Sequence, residues 1–345
     1  MTNAALPVLD LDRLDREREG FLTDLRHAAR TYGFFQLVGH GVDARLTEWI
    51  LEESRRFFAL PDAEKLAIEM IHSPHFRGYT RAGREITRGK PDWREQVDFG
   101  AERPRLRAGP GTPAWARLQG PNQWPPAQPG LRAVVEAWQA ACQSVALRLL
   151  RAFALALGQE DSAFDDSFAN TPTQHLKIIH YPARDRAGSD QGVGPHKDSC
   201  FLTLLLQDGQ KGLEVESPSG GWIAAEPIAG AFVINIGESL ELASNGYLRA
   251  TVHRVVSPPP GVDRYSVAYF PGARLDSRVP LLRLPPVLAA EATGPETDPA
   301  NPLFYDVGVN ALKGRLRSHP DVAERFFSDV LADYGLVPGQ PAAAY

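Results

Sequence analysis

Apolar residues recur every three or four positions in three segments, which predicts amphipathic helices over residues 15–33, 43–60 and 131–158. Asp43 stands at the start of the second segment, where its side chain can accept a hydrogen bond from the first helical turn. Between the first two segments, residues 34–38 form the short apolar run expected of a buried strand. The third segment is long enough to be a scaffold helix against which a sheet packs, and we assign it no chemistry.

The middle of the chain has a different pattern, in which short β-prone runs alternate with turn-forming residues. Turns rich in glycine and proline at residues 217–221 and 257–263 separate several of these runs. The runs are HLKIIHYP, CFLTLLLQ, GLEVES, GWIAAE, AFVINIG, RATVHRVVS and RYSVAYF. Short strands at this spacing favour an antiparallel sandwich or barrel.

The positions of these patterns predict four regions in one compact unit. Residues 1–125 form an N-terminal α/β region, and residues 126–173 contain the scaffold helix and its connection. Residues 174–285 form the β core, and residues 286–345 return to loop and helix. Seven prolines in residues 103–130 predict an irregular crossing between the first two regions.

The composition is that of a globular protein and gives no sign of a nucleic-acid partner. With 43% hydrophobic and 23% charged residues the chain can fold, and a net charge of −5 gives no reason to expect nucleic acid as a partner. No apolar run reaches the length of a membrane span, and the first residues lack a signal-peptide pattern. Cys142 and Cys200 are expected to be buried thiols in a reducing compartment, so we expect a cytoplasmic location.

Two His-x-Asp motifs are candidates for a metal site. His196 and Asp198 precede an apolar β run, and residues two apart on a strand point to the same face. His319 and Asp321 stand at a predicted helix start with Ser318 as its N-cap, where an aspartate is favoured by the helix dipole. We therefore expect the first motif to hold the metal and the second to be a helix start.

His253, in the β run RATVHRVVS, is the candidate third ligand. Two imidazoles and one carboxylate leave three positions of an octahedron open, which is typical of non-haem Fe(II) sites that activate O2. A single histidine in a strand is more often a packed core residue, so His253 alone does not establish the site.

Arg264 and Ser266 share one face of the following run, and Ala268 and Phe270 continue that face. A guanidinium inside a sandwich needs an anion, and an arginine beside a hydroxyl suits the two oxygens of a carboxylate. The alternative is that Arg264 lies at a sheet edge in solvent.

Taken together, the residues resemble the iron(II)/2-oxoglutarate-dependent dioxygenases of the isopenicillin N synthase-like superfamily. The resemblance covers nearly the whole chain, although Gly39 stands where the family usually has Asn. Residues 301–322 resemble the C-terminal segment of the bacterial members. The other matching segments are YGFFQLVGHGV, FFALPDAEK, GPNQWP, HYP, GLEV, VINIGE and NGYLRATVHRV.

The resemblance implies a mainly β protein with flanking helices, built on a double-stranded β-helix (jelly roll). It implies that His196, Asp198 and His253 hold Fe(II), and that 2-oxoglutarate chelates the iron while O2 takes the last position. Oxidative decarboxylation to succinate and CO2 then drives hydrogen abstraction from a C–H bond of a small organic substrate. Ascorbate is expected to stimulate such an enzyme.

The far carboxylate of 2-oxoglutarate would, by the same resemblance, pair with Arg264 and Ser266, helped by Tyr181. Three functions remain open from the residues. The favoured one is a 2-oxoglutarate-dependent hydroxylase or related C–H oxidase. The others are an oxidase of the isopenicillin N synthase type, which uses the Arg/Ser pair for its own substrate, and a non-catalytic binding protein on the same fold.

The family segment near the primary substrate corresponds to residues 75–100. An anionic substrate is one interpretation of its basic residues, and a solvated loop is the other. These basic residues are Arg77, Arg81, Arg84, Arg88, Lys90 and Arg94.

Four further residues are candidates for substrate contact: Glu85, Thr87, Lys177 and Phe270. The first three lie in segments that resemble the bacterial ethylene-forming enzymes, in which a Glu, a Thr and an Arg contact arginine. Lys177 stands in place of that Arg, and the two cations are not equivalent at a bidentate site. Ethylene formation is therefore not expected.

Overall fold

The computed structural model of the protein describes residues 5–87, 89–107, 109–184, 191–296, 298 and 301–337. Its strands are β1 (Val8–Asp10), β2 (Phe34–Val38), β3 (Gly78–Thr80), β4 (Ile86–Thr87), β5 (Lys90–Pro91), β6 (Glu95–Gly100), β7 (Thr173–Tyr181), β8 (Gln191–His196), β9 (Leu202–Gln207), β10 (Leu213–Glu216), β11 (Trp222–Ala224), β12 (Phe232–Ile236), β13 (His253–Val256) and β14 (Arg264–Gly272).

Ten α-helices flank the strands within the described residues. They are α1 (Arg13–Arg16), α2 (Arg18–Thr31), α3 (Ala44–Phe58), α4 (Asp62–Leu66), α5 (Leu131–Ala156), α6 (Asp165–Phe168), α7 (Glu238–Ala243), α8 (Pro286–Ala289), α9 (Val307–Ser318) and α10 (Pro320–Phe327). Short 3-10 helices cover Met70–His72, Ala114–Leu118, Asp161–Phe164 and Leu331–Tyr334.

Two sheets pack face to face around the site described below, and their strands are antiparallel except for the parallel pair β1 and β2. The larger has the order β1-β2-β12-β9-β14-β7-β6-β3, and the smaller has the order β11-β10-β13-β8. Apolar side chains from both sheets meet between them, such as Ile179 and Ala268 from the larger and Val215 and Val255 from the smaller. The predicted jelly-roll core with surrounding helices is confirmed.

Strand alternation sends every second residue of the larger sheet outward, onto the helices. On that side Trp138 of α5 packs edge-on against Phe232, with ring centroids 5.7 Å apart, and Tyr269 donates a 2.5 Å hydrogen bond to Gln143. The side chain of Trp138 is fully buried. The long predicted helix is therefore the scaffold that the hydrophobic pattern indicated.

Strands from the N-terminal region extend the core sheet. β2 pairs with β12, and β6 pairs with β7, so the sheet that carries the core strands also carries four strands from the first 100 residues. The first predicted helix is divided, because Glu17 has non-helical dihedral angles of −147° and 54° between α1 and α2. The second helix is confirmed, and Asp43 accepts a 2.8 Å hydrogen bond from the Arg45 amide as its cap.

One predicted helix start was wrong. Ser318 is the last residue of α9 rather than an N-cap, and its hydroxyl donates to the Gly314 carbonyl. The next helix begins at Pro320, and a proline disfavours helical geometry in the residue before it. His319 therefore lies at the break between α9 and α10.

The cap of α3 gives a test of the fold. Replacing Asp43 with Ala leaves the Arg45 amide without its acceptor, and we expect the free energy of unfolding to fall by about 1 kcal/mol. Urea denaturation followed by circular dichroism measures the change, and Asp43→Ser should retain most of the stability. An unchanged midpoint for Asp43→Ala would show that the cap contributes nothing.

Candidate metal centre and adjoining cavity

Three side chains with metal-binding atoms converge between the two sheets. His196 ends β8, and β13 places its first residue, His253, directly opposite. The Nε2 atoms of His196 and His253 lie 3.7 Å and 3.8 Å from the two carboxylate oxygens of Asp198. One potential ligand atom from each residue lies within 4.8 Å of the others. The structure thus brings together the three candidate ligands.

The predicted reason for this proximity was partly wrong. His196 and Asp198 do not share a strand face, because β8 ends at His196 and Asp198 lies in the connection before β9. The sequence pattern missed β8 altogether. It is the connection between β8 and β9, and not strand alternation, that brings Asp198 beside His196.

Hydrogen bonds fix the orientation of both imidazoles. Nδ1 of His196 lies 2.8 Å from the Gly194 carbonyl oxygen, and Nδ1 of His253 lies 3.1 Å from that of Thr251. A carbonyl oxygen can only accept, so each Nδ1 carries the proton and each Nε2 presents a lone pair. Both rings are therefore held in the form that binds a metal.

Two residues that the sequence analysis missed hold the Asp198 carboxylate. Thr203 donates a 2.5 Å hydrogen bond and Asn235 donates a 2.8 Å hydrogen bond to the same oxygen, Oδ2. They project from the neighbouring strands β9 and β12, where they are paired in register. The sequence feature that could have identified Thr203 and Asn235 is that each is a polar residue on the inward face of its strand.

Burial and the neighbouring charges decide the protonation states at these three side chains. Burial lowers the pKa of His253 to about 4, with a further contribution from His196, and it also lowers the pKa of His196. Burial opposes ionisation of Asp198, but the two imidazoles and the Thr203 and Asn235 hydrogen bonds outweigh it and lower its pKa. Near neutral pH the group is two neutral imidazoles and a carboxylate.

A cavity of about 290 Å³ adjoins these ligands. The inner faces of both sheets form its walls, and α9 lines it with residues at helical spacing. Among the described residues, the α9 contribution comprises Val307, Asn310, Ala311, Gly314, Arg315 and Ser318. Helix α9 therefore forms part of the cavity wall.

One part of this cavity is lined by Arg264, Ser266 and Tyr181. Arg264 is fully buried, and its guanidinium lies 4.7 Å from the centre of the Tyr181 ring. It donates to Gln207 at 3.0 Å and to the Gln210 carbonyl at 3.4 Å. The alternative of a solvent-exposed Arg264 is wrong.

Two polar atoms at this position have no partner among the described residues. They are Nη1 of Arg264 and the hydroxyl oxygen of Ser266, both buried. A buried guanidinium nitrogen and a buried hydroxyl that lack acceptors carry a large desolvation cost, and a bound carboxylate would offset this cost. The donor set fits one carboxylate group.

The four predicted substrate residues also line the cavity, but they are not free. Lys177 contacts both oxygens of Glu85 at 3.1 and 3.3 Å, and Thr87 donates to Asp92 at 2.7 Å. The Phe270 ring stacks on that of His175 at 5.0 Å. All four are cavity residues, and three of them are held by polar partners.

A buried ionic cluster around Glu85 and Lys177 was missed. Arg94 donates to Glu85 at 2.8 Å, and Lys177 also lies 3.4 Å from Asp98. Asp98 accepts a 2.5 Å hydrogen bond from Nε2 of His175 and lies 3.4 Å from Arg315, across 217 residues of chain. No local pattern could indicate a contact between residues so far apart.

The cations of this cluster keep its carboxylates ionised. Burial would raise the pKa of Glu85, but Arg94 and Lys177 outweigh it and hold the pKa below the usual range. Asp98 behaves in the same way, with Lys177 and His175 opposing burial. Both carboxylates are therefore charged and already neutralised by side chains of the protein.

The second His-x-Asp motif lies beside this cluster. Asp321 binds the Val322 amide at 2.8 Å at the start of α10, as expected of a helix start. His319 is buried with Nε2 3.9 Å from Glu85, and burial lowers its pKa to about 4. It is not part of the three-residue group that could hold a metal.

The two cysteines differ in their environment. Cys142 is buried in α5, as expected, whereas Cys200 is only partly buried and lines the cavity. The expectation of two buried thiols therefore holds for Cys142 alone. Within the described residues, no helix combines the length and apolar character that crossing a membrane requires.

Comparison with known proteins agrees with this geometry. Residues 6–127 match the family described as non-haem dioxygenase in morphine synthesis N-terminal, and residues 172–272 match the 2OG-Fe(II) oxygenase superfamily. The chain is 36% identical to the 2-oxoglutarate-dependent dioxygenase frbJ of Dothideomycetidae sp. (strain 11243), over 96% of this chain and 95% of frbJ. It is 34% identical to a homoarginine-6-hydroxylase of Arabidopsis thaliana, over 80% of this chain and 86% of the plant protein.

A solved structure has the same fold. The crystal structure of a full-length Neurospora crassa protein in complex with alpha-KG (2-oxoglutarate) and thymine superimposes with a TM-score of 0.73 at 27% identity, over 91% of this chain and 98% of that chain. The protein belongs to the 2OG-Fe(II) oxygenase superfamily. It is an Fe(II)/2-oxoglutarate-dependent dioxygenase that needs Fe(II), 2-oxoglutarate and O2 and couples decarboxylation of 2-oxoglutarate to oxidation of a small organic substrate.

The family assignment decides between the functions left open by the sequence. Relatives named as 2-oxoglutarate-dependent dioxygenases and hydroxylases support the favoured function over an oxidase of the isopenicillin N synthase type or a non-catalytic protein. The three relatives described above are fungal and plant proteins, so they do not support the bacterial affinity expected from residues 301–322.

The hydrogen bond from Thr203 gives a test of the metal centre. Thr203→Val keeps the shape of the side chain but removes the donor to Asp198, and we expect the affinity for Fe(II) to fall roughly 10- to 100-fold. Anaerobic Fe(II) titration measures this, with Thr23→Val on the exposed face of α2 as the control. Equal affinities for both variants would mean that Thr203 does not orient a ligand.

Proposed function

We propose that His196, Asp198 and His253 hold the Fe(II) of this dioxygenase. The observation that carries the proposal is the convergence of two Nε2 lone pairs and a carboxylate within 4.8 Å. The Nδ1 hydrogen bonds and the Thr203 and Asn235 donors fix all three ligands before a metal binds. Two imidazoles and one carboxylate are the donor set of non-haem Fe(II) oxygenases.

Arg264 and Ser266 bind the far carboxylate of 2-oxoglutarate in this proposal. Their unpartnered Nη1 and hydroxyl support it, because both atoms gain an acceptor when the carboxylate arrives. Tyr181 lies beneath the guanidinium and holds it in place by a cation–π contact. Gln207 and the Gln210 carbonyl restrict the remaining donors of Arg264.

When bound, Fe(II) and 2-oxoglutarate together supply the activation of O2 and the oxidation of a C–H bond. The protein places the substrate and keeps water from the reacting atoms. Apolar side chains from both sheets, such as Val193, Leu205, Leu213 and Val255, line the same cavity as the 2-oxoglutarate residues and the metal ligands. These walls favour oxidation of the bound substrate over side reactions with solvent.

The primary substrate is a small organic molecule held near Glu85, Thr87, Lys177 and Phe270, which we propose as walls of its subsite. All four line the cavity together with the metal ligands. The name of one relative, homoarginine-6-hydroxylase, supports hydroxylation as the reaction class, and the thymine complex supports a small organic substrate. Phe270, stacked on His175, offers an apolar surface there.

The four-region division of the chain into one compact unit remains our proposal, with residues 174–285 as the catalytic core. The shared sheet supports it, since β1, β2, β3 and β6 join the core strands. A cytoplasmic location, a bacterial affiliation and the absence of nucleic-acid and membrane partners stay predictions from the sequence.

Loss of the arginine at the 2-oxoglutarate site should separate co-substrate binding from metal binding. In Arg264→Ala the far carboxylate loses its charged partner. Loss of such a buried charge pair costs roughly 2 kcal/mol or more of binding free energy, so we expect the KM for 2-oxoglutarate to rise at least about 30-fold. Iron content should remain near that of the unmodified protein. Succinate release at varied 2-oxoglutarate concentrations measures KM, and Arg254→Ala, which removes a guanidinium paired with Glu214, is the control. An unchanged KM would remove Arg264 from this role.

Loss of one metal ligand should abolish two properties at once. His196→Ala leaves two protein ligands, so we expect stoichiometric Fe(II) binding and succinate formation to disappear together. Metal analysis after anaerobic reconstitution and a succinate assay with ascorbate present measure the two properties. His27→Ala, on the N-terminal helix α2, is the matched control. Normal iron content in His196→Ala would exclude His196 from the ligand set.

A further inference from the structure

Residues 75–100, the segment expected near the primary substrate, contain six basic residues, and the described ones differ in their burial. Arg81 pairs with Glu69 at the surface, and Arg84 and Lys90 are exposed. Arg88 lies outside the described residues. Arg77 and Arg94, in contrast, are buried and line the cavity. Only these two of the described five can act on a bound substrate.

Arg94 is neutralised by carboxylates, but Arg77 is not. Arg94 contacts Glu85 at 2.8 Å and Asp92 at 3.5 Å. The hydrogen bonds of Arg77 go to the carbonyl oxygens of His75, Phe76 and Leu118, and its Nε, like that of Arg94, has no partner among the described residues. Arg77 is thus a buried cation that is solvated by carbonyls and has no carboxylate within ion-pair distance in the described part of the chain.

The charge that acts most strongly on Arg77 is another cation, Arg315 of α9. Burial, followed by this repulsion, lowers the pKa of Arg77 to about 9, so the guanidinium is still protonated at neutral pH. Arg315 also lines the cavity, and its one ion-pair partner among the described residues is Asp98, at 3.4 Å. Two guanidinium groups therefore line the same cavity, and of these two only Arg315 has a carboxylate within ion-pair distance among the described residues.

The carboxylates that line or adjoin this end of the cavity form close ion pairs with cations other than Arg77. Glu85 and Asp98 already contact Lys177, Arg94 and Arg315 within 3.4 Å, and Asp92 is shared between Arg94 and Thr87. Arg77 is the buried cation that these ion pairs leave out, and the carboxylates that act on it, Asp98 and the exposed Glu102, lie beyond ion-pair distance. A substrate carboxylate would give Arg77 the close anionic partner that it lacks, since a buried unpaired cation is costly.

The backbone at Arg77 is held in an unusual conformation. The preceding residue, Phe76, has a φ of 55°, which is rare for a bulky side chain. Its ring is fully buried and stacks on Phe327 of α10 at 5.4 Å. The packing of α10 thereby maintains a strained residue next to the unpaired guanidinium.

We propose that the primary substrate carries a carboxylate, and that this group binds between Arg77 and Arg315 at the α9 end of the cavity. The inference rests on the proposed function, because it names the substrate class of that same site. Glu85 is not a free receptor for a cationic group, since Lys177 and Arg94 occupy both of its oxygens. A carboxylate suits two guanidinium donors by its planar, two-oxygen geometry.

The test uses matched pairs of probes on the full-length enzyme loaded with Fe(II) and 2-oxoglutarate. Each pair consists of a carboxylate and its primary amide, over a range of sizes: L-homoarginine, L-arginine, L-leucine, L-phenylalanine and phenylacetate. Stimulation of succinate release and anaerobic thermal stabilisation are both measured. We expect at least one carboxylate to act at concentrations at least 10-fold lower than its amide. A panel in which no carboxylate does better than its amide overturns the proposal.

Variants connect any such preference to Arg77. Arg77→Met should abolish the preference for the carboxylate, Arg77→Lys should restore part of it, and Arg84→Met, at an exposed arginine of the same segment, should leave it unchanged. Arg315→Met should also weaken the preference for the carboxylate, and this variant replaces Arg77→Met in the test if Arg77→Met does not fold. A preference that persists in folded Arg77→Met, or in Arg315→Met if Arg77→Met does not fold, contradicts the proposal.

Two controls separate this inference from the proposed function and from co-substrate binding. Succinate release without any organic substrate reports on the iron and 2-oxoglutarate sites, and its absence in the unmodified enzyme would contradict the proposed function itself. The KM for 2-oxoglutarate should be unchanged in Arg77→Met. A large rise in that KM without loss of probe preference would assign Arg77 to the co-substrate and overturn the inference.

Discussion

The antiparallel pairing of β8 with β13 is the constraint on which the centre depends. It sets His196 opposite His253, with ring centroids 4.2 Å apart, in a sheet of only four strands. The larger sheet then supplies Thr203 and Asn235 to hold the carboxylate between them. Because both imidazoles also donate to backbone carbonyls, the metal-binding geometry is built into the pairing of the strands.

Burying charged side chains between two sheets costs free energy, and the cavity contains two kinds of buried charge: those paired within the protein and those without a close partner. Near Glu85 the charges neutralise one another within the protein, so this part of the cavity is a rigid ionic wall. Arg264 and Arg77 have no carboxylate within ion-pair distance in the described structure, and each also keeps one nitrogen without a hydrogen-bond partner. Incomplete compensation marks the places where a ligand contributes the missing charge.

The C-terminal helices connect the substrate end of the cavity to the rest of the fold. Helix α9 lines the cavity and places Arg315 beside Asp98 of the larger sheet. Helix α10 packs Phe327 against Phe76. Residues separated by more than two hundred positions therefore meet at one surface. The candidate metal ligands and α9 come from different regions of the chain and line one cavity.

Local patterns in the sequence were enough to predict α3, α5, most core strands and the types of ligand, because periodicity and capping depend on neighbouring residues. Strand alternation placed Arg264 and Ser266 on one face, and the family resemblance supplied the role proposed for them. The sequence did not reveal β8, since three of its six residues are Gly192, Gly194 and Pro195, whose low strand propensity is overridden by pairing with β13. Tertiary structure alone decided which arginines are buried and which carboxylates neutralise them, because those contacts join residues that are remote along the chain.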